Sequence, residues 1–148
     1  MKTEIDCANQ IVRMSRKIYF SSAHLYFQTK WSIEENTRVF GQCYSEHGHG
    51  HNYILEAFFE GPIDPRTGLL VNLIDVEPIL KQLIGEFDHQ HINFTHPYFR
   101  NLVPTTENIA FYLNLKIQKL LVGFKSAQMK LYKLKLFEDT ELWVEISN

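Results

Sequence analysis

The sequence predicts an α+β fold in which an antiparallel sheet of element order ββααββ carries two helices on one face. Three observations predict it: two β-prone stretches in the first sixty residues, two apolar stripes at helical spacing in the middle, and two short β-prone stretches at the end. Four strands with helices on one side leave the other sheet face bare. That geometry favours an oligomer.

The first strand is expected over residues 16–23, with Ile18, Phe20, Ser22 and His24 on one face and Lys17, Tyr19, Ser21 and Ala23 on the other. It delivers His24 at its end. Residues 1–14, with Cys7, read as a loose leader, and residues 25–42 as a long loop or short helix. The second strand is expected over residues 49–59, with Tyr53, Leu55, Ala57 and Phe59 continuing the face that carries histidines. Turn residues dominate 61–68. Val76, Ile79, Leu80, Leu83, Ile84 and Phe87 then define a helix over 75–87, with Asp75 as its N-cap and Pro78 in its first turn. Thr105 or Thr106 can cap a second helix, whose buried stripe is Ile109, Leu113, Ile117, Leu120 and Leu121 and whose stop is Gly123. The last strands are expected over 129–138 and 141–146. Tyr132, Leu134 and Leu136 share a face, and Glu138 follows in register, where a carboxylate costs free energy unless it is paired.

At 148 residues the chain is most simply a single domain over 1–148. Its 45% apolar and 22% charged residues read as an ordinary globular protein. A net charge of −2 supplies no basic field for nucleic acid. No apolar run approaches the ~20 residues of a membrane span, and the N-terminus lacks a signal-peptide core. Two cysteines make no disulfide framework, so a reduced, cytoplasmic setting is expected.

The most chemically loaded stretch is Cys43-Tyr44-Ser45-Glu46-His47-Gly48-His49-Gly50-His51-Asn52-Tyr53. In an extended strand His47, His49 and His51 share one face with like-facing neighbours about 7 Å apart, so two of them could hold one metal ion. The intervening glycines leave room for close approach. A further ligand must come from elsewhere, because a zinc centre takes three or four. His91 and His96 read as surface residues.

Six ordered motifs, FSSAHLY (20–26), GQCYSEHGHGHNY (41–53), DPRTGLLVNLIDVE (64–77), FDHQHIN (87–93), PTTENIA (104–110) and LFED (136–139), resemble the 6-pyruvoyl-tetrahydropterin synthase and 6-carboxytetrahydropterin synthase family over roughly residues 17–146. The resemblance implies the tunnelling fold (T-fold), barrels assembled through the sheets into a hexamer of two trimers, and active sites between subunits. It implies zinc held by His24, His49 and His51, Cys43 as general base, Asp88 and His89 as a proton relay, and Glu138, helped by Thr105 and Thr106, as the anchor of the pterin ring. The substrate it implies is 7,8-dihydroneopterin triphosphate, which a lyase of this kind converts with loss of triphosphate. HGHGH offers two registers, and the following Asn52-Tyr53 favours His49 and His51. Glu46 stands three residues before His49, where one branch of the family has a glutamate that cleaves the dihydroneopterin side chain to a 6-hydroxymethyl pterin for folate synthesis. The carboxy product, for queuosine and other deazapurines, is placed first and the pyruvoyl product, for tetrahydrobiopterin, close behind. The rival from another class is a non-catalytic pterin- or purine-binding module. Retention of Cys43, Asp88 and His89 argues against it, since binding alone needs no proton relay.

Overall fold

A computed structural model describes residues 10–124 and 129–148. Strand β1 (Ile11–His24) pairs antiparallel with β2 (His49–Pro62) along its whole length, from Ile11 opposite Pro62 to His24 opposite His49. Strand β4 (Lys130–Phe137) pairs with the far side of β2, with an irregularity at Phe58/Phe59, and β5 (Trp143–Ser147) closes that edge. A two-residue strand, β3 (Gln90–His91), adds parallel to β1 at Ser22 and Ala23, so the sheet is mixed, in the order β3-β1-β2-β4-β5.

One face of the sheet carries Ile18 and Phe20 of β1, Tyr53, Leu55, Ala57 and Phe59 of β2, and Leu134 and Leu136 of β4, all buried. They pack beneath two helices, α2 (Leu73–Ile84) and α4 (Thr106–Leu121), whose Val76, Leu80, Leu83, Ile109, Leu113 and Ile117 complete the core. The period-two alternation of the strands and the helical spacing of the stripes meet on this one surface. Two shorter helices, α1 (Ile33–Phe40) and α3 (Ile92–Thr95), lie in the segments on either side of the site.

Several boundaries differ from expectation. Strand β1 starts at Ile11, so the end of the expected leader is strand; Met14, on the Ile18 side, already packs on the core. The rest of that leader, with Cys7, lies outside the described residues. Helix α2 is capped by Asn72, whose side chain accepts the Ile74 N–H, rather than by Asp75, which sits in the first turn where its charge suits the helix dipole. The helix stops at Ile84, and Phe87 and Asp88 close a turn onto the Ile84 carbonyl. The bare face of the sheet mixes aromatic rings, among them Tyr19, Phe58, Tyr132 and Trp143, with paired charges. Glu56 accepts from the Ser15 hydroxyl (2.7 Å), Glu60 pairs with Arg13 and Lys130, and Glu145 with Lys133 and Lys135.

Candidate metal centre and active site

The antiparallel register sets the last residue of β1 opposite the first of β2, so His24 and His49 face each other, and His51 follows two residues on along the same face. His24 Nε2 and His49 Nε2 are 3.1 Å apart. The ring centroids lie 4.6 Å (His24–His49), 4.9 Å (His49–His51) and 5.1 Å (His24–His51) apart. One nitrogen from each falls within 4.8 Å of the others.

The surroundings of His24 fix what its ring presents. It is 0% exposed, and its Nδ1 lies 2.9 Å from the Pro104 carbonyl oxygen, with the Tyr53 hydroxyl 3.1 Å from the same nitrogen. A carbonyl can only accept, so Nδ1 carries the hydrogen and Nε2 turns a lone pair to the cluster. Burial holds His24 down to about 4, and His49 is also lowered, by burial and by its neighbour His51. Both are therefore neutral at neutral pH, the form a metal ligand requires. His51 Nε2 and His49 Nδ1 are buried without hydrogen-bond partners. Such nitrogens cost free energy unless something meets them. Two ligand nitrogens on one tetrahedral zinc stand about 3.3 Å apart, close to the His24–His49 separation. Three imidazoles make three of the four ligands of a tetrahedral zinc and leave a fourth position open, so the residues fit a catalytic zinc.

Glu138 follows β4 and is only 8% exposed. The Thr106 hydroxyl donates to its Oε2, and its Oε1 lies 3.4 Å from His51 Nε2. The two threonines divide the work: Thr105 caps α4 by accepting the Asn108 N–H, and Thr106 reaches Glu138. Cys43 ends a single 3₁₀ turn at Gly41–Cys43, is partly buried, and accepts the Tyr26 N–H at its carbonyl (3.1 Å).

His47 is not on the strand face. Gly48 adopts φ +73, and a Cβ there would lie 2.4 Å from the His24 carbonyl oxygen, so only glycine fits the turn. That turn swings His47 and Glu46 out to solvent, and the expected row of three histidines reduces to His49 and His51 with His24 opposite. Nor is His91 a surface residue. It is half-buried, its Nε2–H donates to the His47 carbonyl (3.2 Å), and its ring lies on Phe94. His96 is 5% exposed, stacked on Phe87. Sequence reasoning missed the burial of His96 and the contacts of His91, as it missed Pro104 and Tyr53 behind His24. For Tyr53 the signal was present, two residues beyond His51 on the buried face.

Asp88 and His89 form a separate pair. Asp88 Oδ2 is 2.9 Å from His89 Nδ1, and Asp88 Oδ1 accepts the Ser21 N–H, which with His89 holds the carboxyl below its usual range. His89 has φ +57 and donates its own N–H to the Ser21 carbonyl (2.7 Å), so both residues clasp β1. A non-glycine residue keeps such a backbone only where its surroundings enforce it. The His89 imidazole is 82% exposed and lines a cavity of about 470 Å³ together with Ser22, His51, Asn52 and His91. No hydrogen bond among the described residues joins Cys43 to this pair.

Comparison with known proteins identifies the family and the fold. A family model described as 6-pyruvoyl tetrahydropterin synthase matches residues 13–148. The chain is 41% identical over 128 residues to the 6-pyruvoyl tetrahydrobiopterin synthase of Pongo abelii, covering 85% of this chain and 84% of that protein. It is 34% identical over 98 residues to the dihydroneopterin monophosphate aldolase of Pyrococcus furiosus (66% and 76% covered), and 26% identical over 154 residues to the 6-carboxy-5,6,7,8-tetrahydropterin synthase of Rickettsia bellii (92% and 100% covered). The structure of Caenorhabditis elegans 6-pyruvoyl tetrahydropterin synthase superposes with a TM-score of 0.86 at 29% identity, covering 94% of this chain and 96% of that one. The site's three facing imidazoles thus sit on the fold of known tetrahydropterin synthases, and the chain belongs to the 6-pyruvoyl tetrahydropterin synthase family of lyases.

Proposed function

We propose that the protein is a zinc-dependent 6-pyruvoyl-tetrahydropterin synthase acting on 7,8-dihydroneopterin triphosphate with loss of triphosphate. The observation that carries this reading is the convergence of His24, His49 and His51 beside the buried Glu138–Thr106 pair. Zinc bound there supplies Lewis acidity toward the hydroxyls of the substrate side chain. In this reading Glu138 anchors the pterin: Thr106 occupies Oε2, and Oε1 remains to accept the paired N–H donors of the ring edge. Cys43, in the adjoining turn, removes a side-chain proton as general base. Asp88 holds the hydrogen of His89 on Nδ1, which leaves Nε2 to take up a proton and Asp88 to steady the imidazolium. The reading includes a cytoplasmic location and a hexamer of two trimers with sites between subunits.

Identity of 41% to a pyruvoyl synthase against 26% to a carboxy synthase supports the pyruvoyl product over the carboxy product that the sequence alone placed first. A second reading, cleavage to a 6-hydroxymethyl pterin, is favoured by Glu46, in the turn that follows the one ending at Cys43, and by the aldolase relative. Incubating the zinc-loaded protein with 7,8-dihydroneopterin triphosphate and separating the pterins tests all three. The expected main product is the 6-pyruvoyl pterin, abolished in Cys43→Ala with binding intact. A carboxy product would overturn the pyruvoyl reading, and binding without turnover in the native protein would make it a pterin-binding module. A hydroxymethyl product lost only in Glu46→Ala would establish the second activity.

A further inference from the structure

The segment that carries Cys43 is closed on itself. Between His24 and His49 the chain leaves the sheet, and its side chains pack against one another, Tyr26 edge-on to Phe40 (centroids 5.8 Å apart) and Phe27 stacked on Tyr44 (5.8 Å). The Tyr26 N–H donates to the Cys43 carbonyl (3.1 Å). The fully buried Asn36 of α1 clasps Gln28 by both backbone groups, accepting its N–H at Oδ1 (2.7 Å) and donating from Nδ2 to its carbonyl (3.1 Å). Cys43 therefore sits where residues 25–28 put it.

Those residues start one position past a metal ligand. Pairing of β1 with β2 ends at His24 opposite His49, and pairing with β3 ends at Ala23 opposite His91, so among the described residues no strand pairs with Leu25. Asn93, in α3, meets its backbone instead. Its Oδ1 accepts the Leu25 N–H (2.8 Å) and its Nδ2 donates to the Leu25 carbonyl (2.8 Å). The N–H can only donate and the carbonyl can only accept, so the amide has a single orientation. On one side of this clasp stands His24, whose ring the Pro104 carbonyl holds independently; on the other, Tyr26 holds Cys43. Asp88 and His89 of the same FDHQHIN stretch already have roles in the proposed reaction, and Asn93 has none. We propose that Asn93 is a positioning residue for that reaction, its amide setting the placement of the Cys43 thiol relative to the three imidazoles. This rests on the reading of Cys43 as general base, and the experiment separates the two.

Zinc content, KM and kcat for 7,8-dihydroneopterin triphosphate are measured for the native protein, Asn93→Ala, Asn93→Asp and Cys43→Ala. For the native protein and the Asn93 variants, the rate of Cys43 alkylation by iodoacetamide is followed with and without zinc, by mass spectrometry of the peptide that holds it. Asn93→Asp keeps the size and the acceptor but has no hydrogen for the Leu25 carbonyl, so it decides the matter where Asn93→Ala does not fold. Strand pairing and Pro104 still hold His24, so zinc content should match the native protein. In both variants kcat should fall by about 10- to 100-fold, the scale of a misplacement of about 1 Å, with KM changed less than about twofold. A nearby cation favours the thiolate, the form that iodoacetamide attacks, so zinc should speed alkylation of the native thiol by about threefold or more. That acceleration should be missing from both variants, which a merely structural role would not produce. Native kcat with the acceleration retained would overturn the proposal, as would a fall in kcat matched by lost zinc or a raised KM, or a native thiol indifferent to zinc. If Cys43→Ala turns over as the native protein does, the base reading fails and the role of Asn93 with it; if Cys43→Ala is inactive while the Asn93 variants behave as native, only the role of Asn93 fails.

Discussion

Two buried histidine sites in this molecule make an instructive pair. His24 is fully buried and His96 nearly so, and both are lowered from their ordinary pKa by burial. His96 is stacked on Phe87 and places Nε2 3.2 Å from Glu86, which also accepts the Tyr112 hydroxyl, so a carboxylate of the same chain meets its polar edge. His24 turns Nε2 toward two more imidazoles, His49 and His51, and one nitrogen from each of the three rings lies within 4.8 Å of the others. Burial alone therefore does not mark a metal site. What sets the His24 site apart is three imidazoles from two paired strands turned toward one point, with a single carboxylate, Glu138, at its edge.

The sharpest way to break the comparison is to remove one ring from each site. His49→Ala should reduce zinc affinity by more than about 100-fold, beyond the loss expected for a supporting residue, measured by competition with a chelator. His96→Gln should leave zinc binding as in the native protein. A smaller effect is expected one layer back. Tyr53→Phe removes the hydroxyl beside His24 Nδ1 but leaves the Pro104 carbonyl to hold the ring, so zinc affinity should fall by about 10-fold. Native affinity in that variant would show that Pro104 alone orients His24. In the other cluster His96→Gln keeps an N–H donor for Glu86 and should cost about 1 kcal/mol of stability, read from urea unfolding.

How much of this was legible follows from how local each signal is. The alternation through Ser22, His24, His51, Tyr53 and Leu55 is a two-residue period, and the structure has these residues on one face with the core row, as that period requires. His47 obeys the same period, yet the positive φ of Gly48 takes it away, and the reason that position must be glycine, the nearby His24 carbonyl, is distant in sequence. Asp75 has the right chemistry for a cap, but the helix starts three residues earlier, at Asn72, whose side chain accepts the Ile74 N–H. His91 and His96 looked like surface residues because each sits in a short polar stretch, while the partners that bury them, His47, Glu86 and Phe87, come from packing. Strand β3, at two residues, carries no period at all.

A gentler expectation concerns acid. His24, His49 and His96 have folded-state pKa values below 6.5, so below that pH the unfolded chain takes up protons that the folded chain refuses. Stability of the metal-free protein should fall as pH drops from about 6.5 toward 4, where His24 itself titrates. Bound zinc should steepen the fall, because protons compete for the same nitrogens, whereas His96→Gln should remove only the share of one histidine. Urea midpoints across that range, with and without zinc, check the sign; a midpoint that rises on acidification would refute it.

The most direct test of the central claim is zinc K-edge X-ray absorption on the protein loaded with one equivalent of the metal. Three imidazole nitrogens at about 2.0–2.1 Å with no sulfur neighbour are expected, and they should be lost in His49→Ala and kept in His96→Gln. A sulfur scatterer at about 2.3 Å, which only a cysteine such as Cys43 could supply, or a shell unchanged by removing His49, would contradict the account.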